Sequence, residues 1–282
     1  MKNVHNKYAD VPIRIRSWLV IILIVVISLS YATLTYIAVG LLAFTAYAEY
    51  MSIQNIVADK YYNYRVYGIP CIVFLVLGFS AYCNSYTILL LGCGGIILGI
   101  AIFVLFMFVL DKSKERINIG CHQLIGLMIG VMLGHLAFII NLDVTGTNGI
   151  KLVLLLIIAT ECNDIFQYLT GKRFGKRKIA PRVSPNKTVE GFLGGLILTP
   201  VLTNLLGLFF LPDKNMVFYT LLGFGIATLG FCGDLFISKI KRRAGVKDTG
   251  KLIPGHGGLL DRTDSLIFSA PLYYWLIRLI YC

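Results

Sequence analysis

The sequence predicts an all-α polytopic integral membrane protein of about nine transmembrane helices, with its amino terminus on the cytoplasmic side. Three observations carry this expectation. Hydrophobic residues make up 57% of the 282 positions and charged residues only 14%, with a mean hydropathy of +0.78, far from a soluble globular composition. The apolar residues gather into runs close to the ~20 residues a helix needs to cross hydrocarbon. Basic residues then alternate between the connecting segments: four in the N-terminal tail, two at Lys60 and Arg65, three in 112–116, seven in 172–187 and seven in 239–262. These segments hold 23 of the 26 Lys and Arg residues, and only Lys151, Lys214 and Arg278 fall at or near the opposite face. Such asymmetry places the basic segments in the cytoplasm.

Taken in order, the apolar runs cover about residues 17–30, 33–50, 69–84, 86–110, 119–140, 150–170, 191–211, 215–237 and 265–281. Ser17 to Ala48 is one long apolar stretch, so dividing it near Ser30 and Tyr31 requires a very tight hairpin. Lys2, Lys7, Arg14 and Arg16 precede it like the basic head of a signal peptide, but no small-residue cleavage site follows, and it reads as an uncleaved span. Seven cysteines lie mostly within or at the ends of apolar runs, without a Cys-x-x-Cys pair or a zinc-like His spacing, and read as small apolar packing residues. The formal charge of +12 is distributed between spans. It therefore suits an anionic membrane face or an anionic substrate, and RNA or DNA is not an expected partner.

Residues 1–150, spans one to five, offer little chemistry and are assigned to membrane seating and a lipid preference. Glu49 near the end of the second run is read as an interfacial anchor or as a functional acid. Tyr61, Tyr62, Tyr64 and Tyr67 suit the headgroup zone. His122 and His135 are isolated and read as core histidines. Asp143 to Gly149 is turn chemistry on the outer face.

Residues 151–282 carry spans six to nine and two cytoplasmic loops, 171–190 and 238–264. Glu161, Asn163 and Asp164 interrupt the sixth run near its cytoplasmic end, and intramembrane carboxylates are costly and usually functional. Glu161 and Asp164, three apart, share one helical face; a polar substrate cavity or a simple interhelical hydrogen bond accounts for Asp164. Downstream, Ser184-Pro185-Asn186-Lys187-Thr188 leads into a helix with Glu190 in its first turn. These residues offer hydroxyls, an ammonium and helix-start amides to an anion, or merely cap the helix, although capping does not explain Lys187. Asp234 lies four residues before Ser238, about a helical turn inside the cytoplasmic boundary, at a depth similar to Asp164.

Ser238 to Asp264 reads SKIKRRAGVKDTGKLIPGHGGLLDRTD, a polar stretch between two apolar runs. Seven basic residues stand beside Asp248, Asp261 and Asp264, and Pro254-Gly255-His256-Gly257-Gly258 forms a Gly-rich turn before a new helix. Amides of such a turn reach phosphate oxygens, and carboxylates three apart hold a divalent cation. A merely solvated basic loop needs neither feature. The order Ser238, Lys241-Arg242, Lys247-Asp248, Gly250, Pro254, His256-Gly257-Gly258, Asp261-Arg262 and Asp264 resembles the signature of CDP-diacylglycerol synthases, the phosphatidate cytidylyltransferases. Asn163-Asp164 before Tyr168, the Ser184 to Gly191 element and Glu49-Tyr50 are similar to further motifs of that family. Asn163-Asp164 with Gln167-Tyr168 departs from the commoner Ala-Asp and Ala-Tyr form toward a variant branch, which leaves the reaction type intact and the lipid acceptor open.

The resemblance implies transfer of CMP from CTP to phosphatidate in a multi-pass bacterial inner-membrane enzyme, giving CDP-diacylglycerol and pyrophosphate for phospholipid biosynthesis. It implies a catalytic cleft open to the cytoplasm and one or two Mg²⁺ ions, with Mn²⁺ able to substitute. The expected catalytic set is Asp234, Lys241, Arg242, Lys247, Asp248, His256, Asp261, Arg262 and Asp264, of which Asp234, Asp261 and Asp264 bind metal. Asn163, Asp164, Ser184, Lys187, Thr188, Glu190, Gly257 and Gly258 are expected to bind substrate. A homodimer is compatible with the sequence. Two other readings are a CTP-dependent polyprenol or dolichol-type lipid kinase, which releases CDP, and a multi-span transporter, for which inverted repeats are more usual.

Overall fold

The computed structural model describes residues 11–54, 68–85, 114–142, 148–210, 216–255 and 257–281, with isolated residues between 87 and 105. Its long helices are α1 (Val11–Leu29), α2 (Ala32–Ile53), α3 (Ile69–Tyr82), α4 (Lys114–Ile139), α5 (Gly149–Phe174), α6 (Val189–Phe210), α7 (Met216–Arg243) and α9 (Leu266–Tyr281). The short α8 spans Leu260–Thr263. Each expected apolar run coincides with one of the long helices except 86–110, which lies almost entirely outside the described residues. The tyrosine cluster Tyr61 to Tyr67 and Asp143 also lie outside them.

Within these helices α2, α6, α7 and the Cys121–Ile139 part of α4 are long and apolar enough to cross a membrane, and the protein is an integral membrane protein. Segments of α1, α3 and α9 are apolar but shorter. The 26-residue α5 has the length, and its acids break the apolar run. Leu19, Val20, Ile22 and Leu23 of α1, with Ile197, Val201 and Leu205 of α6, are exposed apolar side chains, as expected for faces that meet lipid rather than water. The hairpin between α1 and α2 is as tight as the sequence requires: only Ser30 and Tyr31 separate the helices, and the Thr35 hydroxyl donates to Ser28 O at 2.6 Å to close the corner.

The core is one continuous apolar cluster that runs through both halves of the chain. In the N-terminal half, Tyr47, Tyr50 and Met51 of α2 pack with Leu77 of α3 and Leu127 and Leu133 of α4, all fully or almost fully buried. In the C-terminal half α5, α6 and α7 pack together, and α9 lies against both α4 and α7. Close approach of α6 to α5 depends on small residues: a Cβ at Gly195 would stand 2.7 Å from Asn163 Oδ1 and from Gln167 Cγ. The α3 and α4 helices both finish at the same end of the bundle. At one end of the bundle Asn141 Nδ2 donates to Ala81 O at 2.5 Å, and Tyr36 OH donates to Asn141 Oδ1. The other end carries both polar loops.

Among the described residues, strand structure is confined to a small antiparallel hairpin, β1 (Lys178–Ala180) with β2 (Ser184–Thr188), paired Lys178 with Thr188 and Ala180 with Ser184, and to an isolated bridge between Ile253 and Gly257. Ser-Pro-Asn-Lys-Thr is thus a strand that delivers the chain to α6.

Candidate active site

Two groups of polar residues meet at the loop-bearing end of the bundle. The first is a partly buried acidic cluster where α5, α7 and the start of α9 converge. Asp164 Oδ2 accepts from Ser265 Oγ at 2.9 Å. Asp234 Oδ1 accepts from Ser238 Oγ at 3.1 Å, one helical turn further along α7, and its Oδ2 lies 2.5 Å from Lys187 Nζ. Asp264 is buried, with Oδ1 accepting from Ser265 N at 2.9 Å. The charges of Asp164, Asp234 and Asp264 act on one another, and both Lys187 and Lys241 act on Asp264. This is the convergence expected from the depths of Asp164 and Asp234. Lys187 reaches the cluster because β2 ends beside α7, where its ammonium also sits 4.5 Å above the Phe231 ring, a favourable cation–π contact.

Next to these acids stand donors without acceptors. Asn163 is fully buried; its Oδ1 accepts from Thr199 Oγ1 at 3.0 Å, while its Nδ2 and the Nε2 of Gln167 are buried with no hydrogen-bond partner among the described residues. Buried amide donors are costly to leave so.

The second group is the loop from Ala244 to Leu259. It encloses a cavity of about 770 Å³ lined by Lys247, Asp248, Lys251, Pro254, Gly257 and Arg262, among others, a cationic basin open to the polar end. Arg262 also acts electrostatically on Glu161, so the basin borders the acidic cluster. The loop is tied down by carboxylates. Asp261 Oδ1 accepts from Lys241 Nζ at 2.7 Å, and its Oδ2 accepts from Thr249 N at 2.8 Å and Gly258 N at 2.9 Å. Burial opposes the charge on Asp261, yet the Lys241 ammonium and the two backbone amides outweigh it and hold the carboxyl below its ordinary pKa. Gly257 has a φ of +85°, a left-handed conformation that favours glycine.

Further hydrogen bonds place the other expected site residues. Within the Gly-rich turn the Gly258 amide donates to Asp261, and the amides of Leu259 and Leu260, which follow the turn, donate to Glu49. Arg242 donates to Val183 O at 3.2 Å and Val246 O at 3.1 Å, joining the two loops. Glu190 Oε2 accepts from Lys176 N and Arg177 N at 2.9 and 3.1 Å, and Thr188 Oγ1 caps α6 by accepting from Gly191 N at 3.1 Å. Ser184 lies in β2 opposite Ala180. His256 lies outside the described residues. Gln167, named in the sequence only as part of the departure from the Ala-Tyr form, and Ser265, which the sequence reading did not single out, belong beside Asn163 and Asp164; the only sequence signal of Ser265 is polarity next to an apolar run.

A model of the cytidylyltransferase family matches residues 12–280. The uncharacterised protein YnbB of Escherichia coli (strain K12) is 38% identical over 281 residues, 98% of this chain and 90% of its own length. Phosphatidate cytidylyltransferase of Bacillus subtilis (strain 168) is 38% identical over 162 residues, 57% of this chain and 59% of its own. The enzyme of that name from Thermotoga maritima is 42% identical over 137 residues, 47% of this chain and 51% of its own, so the alignment spans about half the length of these two relatives. With the family match extending along both loops and all the described helices, the chain belongs to the cytidylyltransferase family, that of the CDP-diacylglycerol synthases, and is a nucleotidyltransferase.

Proposed function

We propose that this protein transfers CMP from CTP to phosphatidate, forming CDP-diacylglycerol and pyrophosphate, at the cytoplasmic face of a multi-pass inner-membrane bundle. The observation that supports this reading most is the adjacency, at one end of the bundle, of a basin lined by Lys247, Lys251 and Arg262 and a partly buried cluster of Asp164, Asp234 and Asp264.

In this reaction an oxygen of the lipid phosphate bonds to the α-phosphorus of CTP. The bond from that phosphorus to the oxygen leading to the β-phosphate breaks, and pyrophosphate leaves with the electron pair. A phosphate monoester is itself a nucleophile, so the protein's task is to hold two mutually repelling anions in line and stabilise the charge between them. Lys247 and Arg262 hold the triphosphate in the basin. Lys187 holds a phosphate at the edge of the acidic cluster, and the unpartnered amides of Asn163 and Gln167 donate to oxygens of the lipid headgroup.

The acidic cluster fits a hard divalent cation. Its donors are all oxygens, and with Asp261 four carboxylates share the Lys187 and Lys241 ammonium groups, leaving negative charge over. Among the described residues no three acidic, His or Cys side chains are already gathered to enclose an ion. Asp234, Asp264 and Asp261 are the residues that would hold Mg²⁺. Such a cation would supply charge that screens the phosphates and orients the leaving group.

Nine spans are part of the proposal. Tyr82 ends α3 beside Asn141, at the far end of the 26-residue α4 from Lys114, about 39 Å away. Tyr82 and Lys114 thus lie at opposite ends of the bundle, which supports the reading of 86–110 as a ninth span.

The test is to incubate the purified protein with labelled CTP, phosphatidate and Mg²⁺ and identify the products. CDP-diacylglycerol with pyrophosphate is expected, and its formation should cease with EDTA. CDP with a phosphorylated lipid instead identifies a lipid kinase.

A further inference from the structure

Glu49 lies near the end of α2, about 200 residues before the signature loop, yet its carboxylate is inside that loop. Oε1 accepts from Leu259 N at 2.9 Å, and Oε2 accepts from Leu260 N at 2.8 Å and from Thr249 Oγ1 at 3.0 Å. Three donors converge on one side chain, and two are backbone amides at the turn leading into Asp261 and Arg262. Space around the carboxylate is closed as well. A Cβ on Gly250 would stand 2.8 Å from Oε1, and one on Gly258 would collide with Oε2 and with Thr249 Oγ1. Both glycines are therefore small because Glu49 occupies the volume beside them. From the adjacent helix, the Ser17 hydroxyl of α1 donates to Pro254 O at 2.8 Å, so the N-terminal helices hold the loop at two points.

We infer that Glu49 is a positioning residue for nucleotide binding: its carboxylate fixes the loop between Thr249 and Leu260, and through it sets Lys247, Asp248 and Arg262 around the basin. This rests on the reading of the basin as the CTP site. The argument is one of chemistry and reach. A carboxylate is acceptor-only and presents two oxygens, and the turn offers it only donors. A glutamine of the same shape turns an NH₂ group toward an N–H or an O–H donor, leaving buried donors unmet and loosening the turn. An interfacial anchor needs none of these bonds. The N-terminal half thus contributes directly to the site rather than only seating it in the membrane, which explains why the glycines flanking the carboxylate sit on one loop and the acid on a distant helix.

The experiment compares the full-length protein with its Glu49→Gln, Glu49→Asp and Thr249→Val variants in detergent, by amide hydrogen exchange and by steady-state kinetics. Glu49→Gln should speed exchange in the peptide containing Leu259 and Leu260 by about tenfold, the loss of roughly one hydrogen-bond equivalent, while peptides from α5, α6 and α7 keep their protection. With CTP and phosphatidate it should raise KM for CTP about tenfold and leave KM for phosphatidate within about twofold, because the loop faces the basin and not the Asn163 side. Glu49→Asp should recover part of both losses, and Thr249→Val should show a smaller loss of the same kind. Unchanged exchange at Leu259 and Leu260 in Glu49→Gln, exchange accelerated equally in all helices, or equal damage from Gln and Asp overturns the assignment. If the wild-type protein makes no CDP-lipid, the proposed reaction fails, and the exchange data alone still decide whether Glu49 fixes the loop.

Discussion

Asp261 shows how one carboxylate can serve two masters in this family's loop. Both of its oxygens accept from N–H donors, one from Lys241 and two from backbone amides, so the ionised form holds the loop together, while its charge is also what a cation would seek. Asp261→Asn should therefore cut CDP-lipid formation by at least about a hundredfold, ~2.7 kcal/mol of transition-state stabilisation, without loss of the protein from the membrane. The pH dependence follows from the direction of its pKa. Because folding lowers the carboxyl below its ordinary value of 3.8, ionisation favours the folded loop. That contribution is complete above the ordinary value and is lost only as pH falls through the lowered one. The difference in melting temperature between wild type and Asp261→Asn should thus stay constant from about pH 7 to about pH 5; a gap that closes within that interval would mean that the carboxyl titrates where this geometry says it does not. In the sequence, the i, i+3 spacing of Asp261 and Asp264 announced two acids at a helix start. Whether each met a metal, a lysine or an amide could not be read there, because the partners Lys241 and Thr249 come from the other end of the loop.

Among the elements, α6 is held to α5 by what it lacks. The side-chain-free face at Gly191, Gly194 and Gly195 lets Thr170, Gln167 and Asn163 approach the α6 backbone, and Thr199 on the same helix donates to Asn163 Oδ1. Gly195→Ala places a methyl where Asn163 Oδ1 and Gln167 Cγ stand. Overpacking of this kind costs about 1–3 kcal/mol, and it pushes on the two residues whose amides face the proposed headgroup site. Gly40 of α2 is the contrasting case, with nothing within 4 Å of an added Cβ, where alanine should be neutral or stabilise by about 0.4–1 kcal/mol. Thermal unfolding in detergent should lower the melting temperature for Gly195→Ala and not for Gly40→Ala; equal behaviour of the two would show that the α5–α6 contact is slack. The helices themselves were legible because apolar runs near membrane length have few other solutions. The β1–β2 hairpin was not, since Lys-Ile-Ala and Ser-Pro-Asn-Lys-Thr have no alternating apolar face and owe their pairing to Glu190, which binds the turn before β1, and to Arg242 from α7. Glu49 was visible as an acid at the end of a span, but its partners lie about 200 residues away and no local pattern points to them.

For the whole molecule, the bonds between distant segments fix which ends lie together, and they test the topology independently of the charge count. Ser17 of α1, Glu49 of α2, Lys187 of β2 and Lys241 of α7 all meet the signature loop or the acidic cluster, so the polar end collects the start of α1, the end of α2, the start of α6 and the end of α7. Tyr31, at the α1–α2 corner, and Asn148, the cap of α5, belong to the opposite end. If the polar end faces the cytoplasm, where a nucleotide substrate resides, single cysteines placed in a cysteine-free background at Tyr31 or Asn148 should react with an impermeant maleimide in intact cells. Cysteines at Asn186 or Arg243, both exposed beside the polar loops, should react only after the membrane is opened. Labelling at Arg243 from outside would invert the orientation and separate the basin from its nucleotide. Labelling of Tyr31 and Asn186 from the same side would contradict the alternation of helices, because each lies across the bundle from the other.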